Sequence, residues 1–127
     1  MTESNGWSLD MDAGPIYVQI GARVREQLAR GDLKRGQKLP SARELAARLN
    51  VNPNTVVHAF ERLEADGVIE TKRGLGTFVR EDAPIDAMRD ESLESSATRF
   101  VGEVRRLGIP WEEALRALKE VWDAGES

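Results

Sequence analysis

Ser41 and Asn52 are two helix-starting residues only eleven positions apart, which leaves room between them for one short helix and one tight turn. Ser41 follows Leu39-Pro40, and Glu44 stands three residues further on. At that spacing an N-cap hydroxyl and a carboxylate satisfy each other's backbone donors. Leu45, Ala46 and Leu49 then mark the buried face of a short helix. Asn50-Val51-Asn52 makes the connection; Asn52 is a good cap, and Pro53 occupies the first helical position, where its missing N–H is no loss. The helix it opens is expected to run to about Asp66, with Val56, Ala59, Phe60 and Leu63 facing inward and Gly67 as terminator.

The flanking segments complete a pattern. Upstream, a helix is expected from near Pro15 to about Arg30, with Ile16, Ile20, Val24 and Leu28 recurring every four residues and Tyr17 and Ala22 widening the stripe. Gly31 ends it, and Gly31–Lys38 reads as a polar loop. Before it, Trp7, Leu9 and Met11 alternate with polar residues, so residues 1–14 read as an N-terminal arm or short strand. Downstream of Gly67, Val68–Thr71 and Thr77–Val79 have strand character and flank Lys72-Arg73-Gly74-Leu75-Gly76. This predicts a β-hairpin with an exposed cationic tip.

After Arg80 the character changes. Glu81-Asp82-Ala83-Pro84 reads as a hinge, followed by a helix over about Asp86–Leu107 with Leu93, Ala97, Phe100, Val101, Val104 and Leu107 on one side. Gly108-Ile109-Pro110 breaks it. A last helix, Trp111–Ala124, carries Ala114, Leu115, Leu118, Val121 and Trp122 at helical spacing. Two short amphipathic helices cannot bury both apolar faces against each other alone; they need the first domain or a second copy. Phe100, Val104, Leu107, Trp111, Leu115, Leu118 and Trp122 are accordingly read as dimerisation or core residues. The expected organisation is an arm (1–14), a mostly α winged helix-turn-helix domain with a small β-hairpin (15–80), and a two-helix dimerisation segment (81–127).

The formal charge of −4 conceals an uneven distribution. Residues 16–80 hold 12 Lys and Arg against 7 Asp and Glu, whereas residues 81–127 hold 6 against 12. A basic middle beside an acidic tail points to an anionic partner for the middle. The 127 residues contain no cysteine and one histidine, His58, so neither a disulfide nor a thiolate or His-cluster metal site is expected, and no cofactor. The N-terminus lacks the basic and apolar regions of a signal peptide, and no apolar run approaches the roughly 20 residues that span a bilayer. A cytoplasmic chain without a membrane partner is the expectation. Catalysis finds no support: Glu112-Glu113 and Asp90-Glu91 are helix-surface neighbours, and Gly74-Leu75-Gly76 is too short for a nucleotide fingerprint.

Two helices joined by a turn of about four residues place the second where it can lie in a major groove. Ser41 and Arg43 open the first, and Asn52, Asn54 and Thr55 the second; backbone N–H groups at such starts suit phosphate oxygens. Asn can pair with adenine, and Thr can meet phosphate or a thymine methyl. His58 lies one turn further along. Lys72, Arg73 and Gly74 form a tip that could reach phosphate or the minor groove, while Lys34, Arg35 and Lys38 supply general phosphate attraction. A winged protein-interaction module without DNA binding is the alternative, and the basic middle and polar turn argue against it.

Five segments carry a resemblance. They are Pro15-Ile16-Tyr17-Val18-Gln19-Ile20, Gly36-Gln37-Lys38-Leu39-Pro40-Ser41-Ala42-Arg43-Glu44-Leu45-Ala46, Val51-Asn52-Pro53-Asn54-Thr55-Val56, Leu63-Glu64-Ala65-Asp66-Gly67 and Gly74-Leu75-Gly76-Thr77-Phe78-Val79. In this order and spacing they resemble the GntR family. The Pro-Ile-Tyr start, the Asn-Pro-Asn-Thr turn and the short C-terminal part look like its YtrA-type subfamily. The resemblance implies a bacterial repressor that binds an inverted-repeat operator as a homodimer, its C-terminal helices supporting the dimer, and that often controls its own operon with ABC-transporter genes. It also implies DNA contacts at Ser41, Arg43, Asn52, Asn54, Thr55, Arg73 and Gly74. Many relatives carry arginines where Pro53 and Val57 stand here, so His58 or Arg62 is expected to substitute for the missing charge. The C-terminal part is too short for the large effector domain of most relatives. A small effector would have to lodge between the terminal helices or at the dimer seam and favour one separation of the recognition helices.

Overall fold

The computed structural model describes residues 9–10 and 12–125. Of the expected arm, Trp7 and Met11 lie outside the described residues. Five helices and one two-stranded antiparallel sheet follow in the order α1 (Ile16–Arg30), α2 (Ala42–Leu49), α3 (Pro53–Ala65), β1 (Ile69–Lys72), β2 (Gly76–Val79), α4 (Ile85–Arg106) and α5 (Trp111–Ala124). Two compact units form, Met1–Asp90 and Glu91–Ser127.

In the first unit each helix begins and ends where local chemistry places it. Ser41 accepts a hydrogen bond from the Glu44 N–H, and the Glu44 carboxylate accepts one from the Ser41 N–H, the full reciprocal cap. Asn52 caps α3 by accepting from the Asn54 N–H at 2.8 Å. Gly31, in the left-handed region at φ 86°, ends α1, a conformation that costs a residue without Cβ little. Asn50 takes the same region at the end of α2 and turns the chain into Asn52.

α1 and α2 both pack on α3, and β1 packs on α3 from the hairpin. The core gathers Ile20, Val24 and Leu28 of α1, Leu45 and Ala46 of α2, Val56, Ala59, Phe60 and Leu63 of α3, and Val68, Ile69 and Val79 around the hairpin. Leu49 and Tyr17 are half-buried at its edge, and Ala22 is exposed. Ala83 and Met88 are buried in the same core, so this unit extends beyond the expected boundary at residue 80. Gln19, buried at the start of α1, accepts from the Asp10 N–H and donates to the carbonyls of Asp10 and Gly14, fixing the approach to the helix.

The two-stranded hairpin is tied to the loop that precedes α2. β1 and β2 pair from Ile69 opposite Val79 to Lys72 opposite Gly76. The loop before α2 joins them on the other edge: Leu39 N–H donates to Thr77 O at 2.8 Å, Val79 N–H to Gln37 O at 2.9 Å, and Lys38 bridges Phe78. The polar loop therefore ends in a single β-bridge against β2, and α2 starts a few residues beyond that bridge.

In the second unit Ala114 is buried, while Phe100, Val101, Val104 and Ile109 are half-buried. Leu93, Ala97, Phe100 and Val104 alternate at spacings of four and three along α4, with Leu107 just past its end, as do Trp111, Leu115, Leu118 and Trp122 along α5, so each helical set lies on one stripe. Leu107, Trp111, Leu115, Leu118 and Trp122 are all exposed, Trp111 and Trp122 by 61% and 71%. Among the described residues, no helix is long and apolar enough to cross a membrane.

Candidate nucleic-acid interface

The N-terminus of α2, the whole outer face of α3 and the hairpin tip are exposed on the first unit. Pairing between Lys38 and Phe78 ties two of these together, because Ser41 lies three residues from Lys38, within about 11 Å along the chain. At the tip, Leu75 N–H donates to Lys72 O and closes a loop through Arg73 and Gly74. Gly74 has φ 78°, so a glycine lets this turn close while its neighbours point outward.

Each expected contact residue has a definite setting. Arg43 is exposed on the first turn of α2, and Arg73 is exposed on the tip; neither makes an ion pair with any described residue. Lys72 is exposed, its ammonium 5.0 Å from the Phe78 ring centroid. Asn54 is exposed and Thr55 half-buried. Ser41 and Asn52 use their side-chain oxygens as caps, leaving the Ser41 hydroxyl proton and the Asn52 amide N–H groups as donors toward a ligand.

His58 is exposed but lies against α1, its ring 4.2 Å from that of Tyr17. The Arg62 guanidinium sits 5.9 Å from the same Tyr17 ring. Sequence periodicity places Tyr17 on the core stripe and gives no sign of this aromatic anchor, which exists only because α1 and α3 pack side by side. Both candidates for the missing charge are thus held to the α1 side of the recognition helix. Of the three cations expected in the loop, Arg35 donates to Ala83 O and Lys34 to Gly31 O, so both also hold the backbone. An open groove of about 240 Å³ between α1 and α3 is lined by Tyr17, Val18, Ala22 and Leu63, with the Arg25–Asp66 ion pair at its rim. Among the described residues no cluster of His, Cys, Asp or Glu could hold a metal.

The cap of α2 also favours the ionised form of Glu44. The Glu44 carboxyl is held below its ordinary pKa, first by the Ser41 backbone N–H and then by the Ser41 hydroxyl. A carboxyl depressed in the folded state stabilises the fold fully above its ordinary value, and the contribution is lost as pH falls through the depressed one. Thermal unfolding followed from about pH 7 down to pH 3 is expected to fall more steeply for wild type than for Glu44→Gln, which keeps an acceptor but does not titrate. Ser41→Ala is expected to cost about 1 kcal/mol at neutral pH. Parallel curves for wild type and Glu44→Gln would show that the cap does not favour the ionised form.

A helix, a short capped helix, a tight turn, a recognition helix and a basic hairpin packed on one core define a winged helix-turn-helix protein. Residues 16–79 match the model of the bacterial regulatory proteins of the gntR family. The chain belongs to the GntR family. It is 36% identical over 109 residues to the HTH-type transcriptional repressor YtrA of Bacillus subtilis, covering 84% of both chains. A GntR family transcriptional regulator from Listeria monocytogenes superposes with a TM-score of 0.75 at 34% identity, over 88% of this chain and 98% of that one. The DNA-binding domain of AraR, solved in complex with operator ORX1, superposes with a TM-score of 0.51 at 28% identity, over 56% of this chain and 86% of that one. The chain is a transcription regulator of the YtrA-like kind rather than an enzyme.

Proposed function

We propose that the chain represses transcription by binding an inverted-repeat operator as a homodimer. The exposed helix starts of α2 and α3 beside the basic wing are the observation that carries this reading, and the likeness in fold to the operator-bound AraR domain supports it. Ser41, Arg43 and Asn52 hold phosphates, Asn54 and Thr55 meet the bases, His58 flanks them on the α1 side, and Lys72, Arg73 and Gly74 bring the wing to the backbone or minor groove. One recognition helix offers too little surface for operator-level specificity. Two, set about one helical turn of DNA apart, supply it.

The dimer is assigned to the apolar stripes of the second unit, formed by the half-buried Phe100 and Val104 of α4, the exposed Leu107 just past its end, and the exposed Trp111, Leu115, Leu118 and Trp122 of α5. Exposed apolar stripes at heptad-like spacing favour burial against a second copy. An effector at that seam would act by changing the separation of the two recognition helices. Residues 15–80 hold the elements assigned to reading DNA, and the dimerisation stripes lie within 81–127, in its part beyond Asp90. By the resemblance, the targets include its own operon with ABC-transporter genes, in the cytoplasm.

Selection from a genomic DNA library, followed by titration of the recovered duplex across salt, tests the proposal. Tight binding with a steep negative salt slope is expected. Arg43→Ala and Arg73→Ala should each weaken binding of all sequences and reduce that slope by about one, with the dimer mass unchanged in light scattering. Binding no tighter than to scrambled DNA would favour the interaction-module reading instead.

A further inference from the structure

Val57 is the exposed large hydrophobic residue of α3, with 40% of its surface open to solvent. It follows Asn54 by three positions and Pro53 by four, so Pro53 and Val57 form an apolar strip one turn long beside the Asn54 amide. All three are exposed on the leading half of the helix. The neighbouring polar side chains His58 and Arg62 lie against Tyr17 on α1. On the next turn Glu61 presents an exposed carboxylate, which DNA phosphates repel. Close approach to DNA is therefore confined to the first two turns, where Val57 has no hydrogen bond to offer.

We propose that Val57 is a specificity-determining residue that reads a thymine 5-methyl group in the major groove. This rests on the DNA-binding reading above and deepens it. The edges of base pairs in the major groove display donors, acceptors and one apolar group, the thymine methyl. A valine pressed against any other edge desolvates a polar atom and returns nothing. Val57 lies about 4.5 Å further along the helix axis than Asn54, roughly the rise of one to two base pairs. Each half-site thus holds a thymine within two base pairs of the adenine that Asn54 pairs with.

The test uses the wild-type chain and the duplex recovered by selection, with each thymidine replaced in turn by deoxyuridine. That exchange removes the methyl and leaves base pairing intact. One position per half-site is expected to lose about fourfold in affinity, the worth of one buried methyl-sized group. In Val57→Ala the same exchange should change affinity little. If every deoxyuridine duplex binds as tightly as the parent, or if Val57→Ala keeps the full penalty, the assignment is overturned while operator binding stands. If no sequence is bound above scrambled DNA, the operator reading itself fails, and this assignment with it.

Discussion

Leu115→Glu combined with Leu118→Glu is expected to turn the protein into a monomer that folds normally in its first unit but binds operator DNA roughly a hundredfold or more weakly. Leu115 and Leu118 are 47% and 42% exposed and lie on one stripe of α5 with Trp111 and Trp122. A carboxylate on that stripe costs little in an isolated chain, because the position already meets water. Across a twofold seam the same group is desolvated beside its own copy, and the interface loses its apolar burial. Affinity falls so far because two linked recognition helices gain their second contact at high effective concentration, an advantage worth about 10²–10⁴. None of the core residues of the first unit is touched, so its folding should persist. Light scattering gives the mass, circular dichroism the fold and titration the affinity. A variant that stays dimeric at micromolar concentration would remove α5 from the interface.

Leu63→Ala is the second large effect. Leu63 is 1% exposed on α3, the helix on which α1, α2 and β1 all pack. Its carbonyl also accepts from the Val68 N–H, at the turn that leads into the hairpin. Truncation removes buried methyl groups where no neighbour can collapse independently, and a loss of about 2–5 kcal/mol is expected. For a unit of this size that lowers the unfolding midpoint by roughly 10–25 °C. Small domains are stable by about 5–15 kcal/mol, so the variant should sit near the edge of folding at physiological temperature. Operator duplex at saturating concentration should restore part of the midpoint, since ligand binds only the folded form. A shift of a degree or two would mean that α3 is not the central element of the core.

Much of the reading domain was legible because its signals are short-range. The Ser41–Glu44 cap, the Asn52-Pro53 start and the Gly31 stop are chemistry between residues a few positions apart, and all three stand as the spacing predicts. The second unit illustrates the converse. Its helices were equally legible, yet periodicity marks an apolar stripe without saying whether the chain itself will cover it. In the structure Ala114 is buried while Leu115 and Leu118 remain exposed.

The amino-acid pattern from Ser41 to Asn52 by itself determined a short capped helix, a tight turn and the start of a recognition helix, since caps, periodicity and turn residues act over a single turn of chain. Tertiary structure alone decided what surrounds that pair. Lys38 forms a β-bridge with Phe78, forty residues away, and Ala83 and Met88 enter the core of the first unit. Tyr17 draws His58 and Arg62 to one side of α3, leaving Pro53 and Val57 to face outward without a charge. Such contacts depend on where distant segments meet, and that is set by the burial of the whole apolar surface rather than by any local signal.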